Sequence, residues 1–387
     1  MKKPFKKEFH IFALVAAAAA AIAVKGMSQR KSYKIAMIDS LTGIGDDDYY
    51  TRVLTSVITP SKRRKYYVAY LSLNSSKEKN LLSETEIEDV QKYAAKQLTA
   101  MATPTEYVAR IADGIFAFVY PADNEEEAKE RIEEILKALK EYLGGFHEEY
   151  SRLFGAGICS LADYPTSAPD QVLKAAKQGY IYAMRSRTPY VFATNEVIEN
   201  NAEYEKLRLG ITRAIKNDEF EIYLQFIVDR VHEKICGAEV LSRWDNPEFG
   251  LMRPAKYIEI MLTTGAVTKH DYAIFEKLCA LLESLQKSGY GSLFLTSNFT
   301  RISASEEDFA EKIKEISDKY TFDHSKLIIE LTEDSLSEDN RVVTASLKKC
   351  KAMGFKIAID DMGSGFSAIS DLYTNEIDLV KIGRAHV

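Results

Sequence analysis

The sequence predicts an α/β protein in two units: a mixed sheet with helices packed on it, followed by parallel strands alternating with helices as in a barrel. Three observations carry this expectation. The chain has 387 residues, a natural length for two domains. Hydrophobic residues make up 46% and charged residues 28%, a globular mixture with enough apolar material for two cores. The rhythm of the chain also changes near Phe220, where mixed β-rich and helical runs give way to regular βαβα alternation.

Residues 1–31 stand apart from both units. A basic start, "MKKPFKKEFH", precedes an apolar run from Ile11 to Val24. The run is short for a membrane span, which needs about 20 residues. It suits a short membrane anchor, the core of a signal peptide cleaved after Ala21-Ile22-Ala23, or an exposed alanine-rich helix. Lysines and arginines flank it on both sides, so charge sets no orientation. Membrane association through residues 9–24 would hold cytoplasmic domains at the inner face of the membrane.

The first unit is expected over 32–195. "KYYVAYLSL" (65–73) is β-rich and alternating, and "ETEIEDVQKYAAKQLTAM" is helical. "YVARIADGIFAFVYP" (107–121) reads as two strands around an Ala112-Asp113-Gly114 turn, a hairpin signal. The Glu125–Glu127 run opens a solvated helix that Gly144-Gly145 closes. "LFGAGICSLA" is a strand. "SAPDQVLKAAKQG" is a helix with Ser167 as N-cap and Gly179 as stop, and "YVFATN" is a final strand. Residues 196–219 form a helical linker.

The second unit is expected over 220–382. Its strands are "EIYLQFIV", "CGAEVLSRW", "LFLTSNF", "KLIIELT", "KIAIDD" and "LVKI". Amphipathic helices "YAIFEKLCALLESLQ", "EEDFAEKIKEISDKY" and "DNRVVTASLKKCKAM" separate them.

Charge and cysteine content narrow the function classes. The net charge of −6 argues against a binder of nucleic acid polymers, which would carry a basic surface. The four cysteines are far apart with no CxxC pair, so reduced buried thiols are expected and a zinc site is not. The six histidines show no ligand spacing, and Trp244 is expected in the core or its rim.

Polar residues at strand ends carry the chemistry. Glu239, Asn298, Glu330 with Glu333, Asp360 with Asp361, and Lys381 each end a strand, or lie near its end, where apolar packing needs none of them. The intervals match single βα units, and parallel strands in a barrel deliver such residues to one rim. Oxygen ligands without His or Cys describe a hard-cation site, which implies Mg²⁺ or Mn²⁺. Glu239, Asn298, Glu330 and Asp360 could hold one ion and Asp361 a second, which would relieve the repulsion between adjacent acids in "IAIDDMGSGFS". Two such ions suit in-line attack on a phosphodiester. Arg243, four residues after Glu239, could grip a phosphate oxygen, and Lys381 could orient a water.

These motifs resemble a known family. "GAEVLSRWDNPEFGLMRPAKYIEI", "TSNFT", "IIELTEDS", "AIDDMGSGFSAISDL" and "IDLVKI" are similar, in order and spacing, to EAL domains, the cyclic di-GMP phosphodiesterases. The resemblance implies a (β/α)8 TIM-like barrel that hydrolyses cyclic di-GMP to linear pGpG. It implies metal ligation by Glu239, Asn298, Glu330, Asp360 and Asp361, and guanine contact by Gln225. Glu333 would support the loop after Asp361, Lys381 would contact the catalytic water, and the Gly363–Gly365 turn would couple a homodimer to metal binding. Departures are EVL for EAL, Phe226 for proline and Met261-Leu262 for Ala-Glu, none of them a ligand. Only six of eight strands are read, so the barrel is expected to be incomplete, with a catalytic glutamate base beyond the chain and weak activity. Residues 383–387 are set aside as a non-native tail, because Gly383 stands where the family has aspartate.

"DSLTGIGDDDYYTRVL" (39–54) resembles the opening of GGDEF domains, which make cyclic di-GMP from GTP. The signature has decayed to Ala112-Asp113-Gly114-Ile115-Phe116, the first-strand aspartate is replaced around Ser72–Asn74, and Thr103 and Glu106 occupy the inhibitory site. The resemblance therefore implies no cyclase activity. Asn80 and Asp89 match guanine-contacting positions, which leaves two readings: a regulatory GTP site, or an ordinary helix-flanking loop. The runner-up function is a non-catalytic cyclic di-GMP or GTP receptor.

Overall fold

The computed structural model describes residues 37–73, 83–144, 154–332, 341–362 and 377–382. The chain divides into two compact units, Met1–Ala202 and Glu203–Val387, and the division falls inside the helix Asn195–Lys216.

The first unit opens with α1 (Asp47–Arg52), capped by the Asp46 carboxylate on Tyr49 N, and the short α2 (Pro60–Arg63). Then come β1 (Tyr66–Leu73), α3 (Glu84–Met101), β2 (Tyr107–Ala112), β3 (Ile115–Pro121), α4 (Glu125–Gly144), β4 (Phe154–Ser160), α5 (Pro169–Ser186) and β5 (Tyr190–Phe192). The sheet order is β2-β3-β1-β4-β5. Central β1 is buried along its whole length because each face meets its own core. Tyr67, Ala69 and Leu71 join Phe116, Phe118 and Ile132 on one side. Tyr66, Val68 and Tyr70 join Tyr50, Val119 and Val172 on the other. The alternation read in the sequence thus sorts residues between two cores rather than between core and water.

The expected hairpin is present, with Gly114 at φ 67° in the turn between β2 and β3. Two expectations about α5 are corrected. Its N-cap is Ala168 followed by Pro169, rather than Ser167. Its stop is Arg187 in the left-handed region, because the helix runs straight through Gly179. Gly179 is there for packing: a Cβ would sit 2.5 Å from the Val191 carbonyl of β5. Helix α3 carries an unforeseen capping box, in which Ser83 and Glu86 each bond the other's backbone N–H.

The second unit begins within α6 (Asn195–Lys216) and contains β6 (Phe220–Asp229), β7 (Lys234–Asn246), β8 (Gly250–Met252), α7 (Ile258–Thr264), α8 (Val267–Lys287) and β9 (Phe294–Asn298). It continues with α9 (Arg301–Ala304), α10 (Phe309–Ser317), β10 (Leu327–Thr332), α11 (Arg341–Ala352), β11 (Lys356–Met362) and β12 (Leu379–Ile382). Strands run in the order β12-β11-β10-β9-β7-β6, with β8 paired to β7, as a curled half-barrel. All six expected strands are present. One expectation is corrected: β6 and β7 are antiparallel. Residues 230–233 alone join them, too few for the crossover that parallel pairing needs.

Helices α6, α8, α10 and α11 bury Ile211, Phe275, Leu278, Ile313 and Leu347 in one core with Leu295, Leu327, Ile357 and Ile359 of the strands. Trp244 is 1% exposed in this core and donates from Nε1 to Glu219 Oε2 at 2.9 Å. All four cysteines are free. Burial pushes the thiols of Cys159, Cys279 and Cys350 up to about 12, where they are inert at neutral pH. Among the described residues, no helix is long and apolar enough to cross a membrane. The apolar run Ile11–Val24 lies outside them.

Candidate functional site

Strands β7, β9, β10, β11 and β12 are parallel, so their C-terminal ends share one edge of the half-barrel. Register then decides which side chains share a face. Gln225 lies opposite Glu239, Glu239 beside Thr296, Glu330 beside both Asn298 and Ala358, and Asp360 beside Thr332. Alternate residues of a strand face the same way. Glu239, Arg243, Asn298, Glu330, Asp360 and Gln225 therefore line a single face, as the strand-end spacing predicts.

The side chains meet at Lys381. Its ammonium donates to Glu239 Oε2 at 2.8 Å and pairs with Glu330 Oε1. Asn298 Nδ2 donates to Glu239 Oε1 at 3.1 Å. Glu330 has no exposed surface, and the Thr296 hydroxyl on the neighbouring strand bonds its carboxylate beside Lys381. Desolvation by burial holds the Glu330 carboxyl above the usual carboxylate range, although the Lys381 charge opposes the rise. For Lys381 burial acts downward, but its bonds to Glu239 and Glu330 outweigh this and raise it above an ordinary lysine.

The donor chemistry fits a hard divalent cation. Glu239, Asn298, Glu330 and Asp360 offer oxygen as ligand atoms, with no His or Cys among them. Among the described residues, no group of three His, Cys, Asp or Glu converges as a ready ligand set. The Lys381 ammonium lies between the acids instead.

Other candidates are placed differently. Arg243 is half-buried, donates to its neighbour's carbonyl, Ser242 O, at 2.7 Å and lies 5.7 Å from the Tyr223 ring centroid. Gln225 is exposed on β6. Asp361 lies in β11, and its side chain is outside the described residues, as are Glu333, Asn80 and the Gly363–Gly365 turn. Asp89 lies within α3 and accepts from Lys92 Nζ at 3.3 Å, an ordinary helix-face pair.

In the first unit the Ala112-Asp113-Gly114 turn is tied down from within. Gln91 Nε2 donates to Asp113 Oδ1 at 2.8 Å, while Gln91 Oε1 accepts from Gly114 N and Arg110 Nε, both at 2.8 Å. Arg110 Nη1 also donates to Asp39 Oδ2 at 2.8 Å. Burial would raise the Asp39 carboxyl, but bonds from Thr42 and Arg110 hold it below the usual range. Ser72, at the end of β1, is buried. Glu106 is clamped by Arg131 Nε and Nη2, each at 2.8 Å.

Sequence reasoning missed a buried polar chain of Ser242, Tyr257, His270, Asp271 and Thr300 behind β7 and β9. Its one sequence signal is the pair His270-Asp271 within an otherwise apolar stripe of α8.

A sheet domain followed by part of a β/α barrel, with acids at its strand ends, defines a two-domain α/β protein. Family models assign the parts: "Diguanylate cyclase, GGDEF domain" matches residues 36–187 and "EAL domain" matches 210–387. The chain belongs to the GGDEF–EAL tandem proteins. It is 23% identical over 390 residues to an uncharacterized protein of Mycobacterium tuberculosis, covering 100% of this chain and 62% of the relative. It is 20% identical over 365 residues to the bifunctional diguanylate cyclase/cyclic di-GMP phosphodiesterase MucR of Pseudomonas aeruginosa, covering 93% of this chain and 53% of that protein. The chain thus spans little more than half the length of these relatives. Among solved structures it is similar to the S helix-GGDEF-EAL portion of LapD from Vibrio cholerae bound to c-di-GMP. That match has 17% identity and a TM-score of 0.49, and covers 93% of this chain and 85% of the other.

Proposed function

We propose that the second unit hydrolyses cyclic di-GMP to linear pGpG, with the first unit as a regulatory domain that makes no cyclic di-GMP. The observation that carries this reading is Glu330: a fully buried carboxylate at a strand end, on one face with Glu239 and Asn298, where apolar packing needs no acid. Burying such an acid costs stability unless a cation answers it. Glu239, Asn298, Glu330 and Asp360 would hold Mg²⁺ or Mn²⁺, and Asp361 a second ion. The bound ions would acidify a water and offset charge on the phosphodiester.

This chain's residues have separate tasks in that reaction. Water adds to phosphorus, the bond from phosphorus to the 3′ oxygen breaks, and that oxygen takes a proton. Arg243 binds a non-bridging phosphate oxygen, Gln225 meets a guanine edge, and Lys381 orients the water. Glu333 supports the loop after Asp361. The similarity to MucR, a bifunctional diguanylate cyclase/cyclic di-GMP phosphodiesterase, supports the ligand assignment. Absence of cyclase activity is supported by Gly114 and Ile115 and by the stretch Ser72–Asn74, none of them acidic, where the related family binds magnesium.

A second reading has its own observation. Lys381 already bridges Glu239 and Glu330, so the acids are partly neutralised without a metal. That favours a receptor which binds cyclic di-GMP and signals through a partner or a second copy. One experiment separates the two: purified protein with cyclic di-GMP and MgCl₂, product followed by chromatography. Turnover to pGpG that Asp360→Ala abolishes supports the enzyme. Tight binding without turnover supports the receptor, and neither result supports both readings at once.

A further inference from the structure

We propose that Asp271 is a positioning residue for the candidate site, holding the turn behind Asn298 and tying it to the strand that carries Glu239 and Arg243. The proposal rests on the cation-binding reading above.

Asp271 is 4% exposed on α8. Its Oδ2 accepts three hydrogen bonds: Thr300 N at 3.0 Å, Thr300 Oγ1 at 2.9 Å and Ser303 Oγ at 2.7 Å. Thr300 follows Asn298 by two residues, so the carboxylate fixes the backbone that aims Asn298. Its Oδ1 faces His270 Nδ1 at 3.4 Å. His270 Nε2 lies 2.9 Å from Ser242 Oγ, which also accepts from Tyr257 OH at 2.9 Å. The Ser242 carbonyl in turn accepts from Arg243 Nη1. A buried polar chain therefore joins the ends of β7 and β9 from behind, while Asn298 and Glu239 meet on the face at 3.1 Å.

The β7–β9 ladder and the core under Val240 and Phe299 set the strands, but not the turn beyond them. A half-open pocket of about 370 Å³ lies at that turn, lined by Ser242, Tyr257, His270, Asp271, Asn298 and Thr300 among others. Where the pocket leaves room, hydrogen bonds do more than side-chain volume to hold the turn. The chain resembles a Ser-His-Asp arrangement, but it does not make a nucleophile. The Asp–His approach is long, the Asp271 Oδ2 is already saturated by the turn, and Ser242 Oγ receives the Tyr257 proton. Asp271 acts through Asn298 and Glu239 and touches no reacting group.

The test uses the full chain and Mn²⁺ itself as probe, with affinity read by electron paramagnetic resonance and folding by thermal melting. Asp271→Ala is expected to weaken Mn²⁺ binding by about 10-fold or more, the scale of lost outer-shell support. Asp271→Asn, whose amide oxygen can still accept from the turn, should recover most of it. Should Asp271→Ala not fold, Ser303→Ala decides: it removes one donor and should give a smaller loss of affinity at an unchanged melting temperature. Wild-type affinity in the variant that folds overturns the positioning role while leaving the cation site standing. Equal loss in Asp271→Ala and Asp271→Asn also overturns it, since charge rather than hydrogen bonding would then be responsible. A wild-type chain that binds no Mn²⁺ overturns the cation reading and this role together.

Discussion

In the first unit Glu106 is buried with both oxygens held by Arg131, and Asp39 is held by Thr42 and Arg110. In the second unit Glu330 is buried more deeply, yet no arginine clamps it: a lysine and a threonine hydroxyl are its partners, and burial still holds its carboxyl above the usual range. The first pattern is how a fold makes a buried acid safe. The second leaves part of the desolvation cost unanswered, which is the mark of a group kept for binding. The contrast separates acids that hold the molecule together from acids that give it something to do.

The largest expected effect breaks the first half of that contrast. Arg131→Met leaves Glu106 with the Thr103 N–H alone, at 2.7 Å. It should cost about 3 kcal/mol of stability in the first unit, since a buried charge would lose its counter-charge. Chemical denaturation reads this directly. Turnover or cyclic di-GMP binding by the second unit should not change, and a matching loss there would mean that the acids of the two units are not separable.

Next comes the converse. Glu330→Gln removes a fully buried charge that desolvation disfavours and Lys381 offsets only in part. Melting should shift by a few degrees at most, while turnover should fall more than about 100-fold, beyond the usual outer-shell range. A variant that unfolds but retains specific activity would reassign Glu330 as structural.

Lys381 gives the comparison a pH signature. Its folded pKa is raised above the ordinary lysine value. Its contribution to stability is then complete below about 10.4, the unfolded value, and is lost as pH rises through the folded value. Lys381→Met should be less stable than the parent at pH 8, and the gap should close above about pH 10.4. A gap that persists at high pH would show that Lys381 acts through packing rather than charge.

Much of this contrast was legible in the sequence. The six strands of the second unit announce themselves as short apolar runs, and intervals of about one βα unit from Asn298 to Glu330 and from Glu330 to Asp360 put those residues on one rim. What stayed hidden is tertiary. Gly179 looks like a helix stop, and only the closeness of β5 shows why a helix interior should lack a Cβ there. The antiparallel β6–β7 pair was masked by an expected βαβα rhythm, although the four-residue turn was in view. The bond between Ser242 and His270 joins positions 28 apart on a strand and a helix, and a lone histidine on an amphipathic helix carries no signal of it. Strand β8 has three residues, too few for any periodicity.

The smallest expected effect concerns Asp89, an acid that belongs to neither class. It is half-exposed on α3 and accepts from Lys92 three residues on, in a pair that water screens. Asp89→Ala should therefore change stability by only about 0.2–0.5 kcal/mol, the value of such helix-face pairs. If the first unit binds GTP through this position, the same substitution should abolish GTP binding by calorimetry at nearly constant stability. If the pair is ordinary surface, parent and variant should give the same GTP isotherm. A stability loss well above 0.5 kcal/mol would contradict both, and would place Asp89 with Glu106 as a residue the fold depends on.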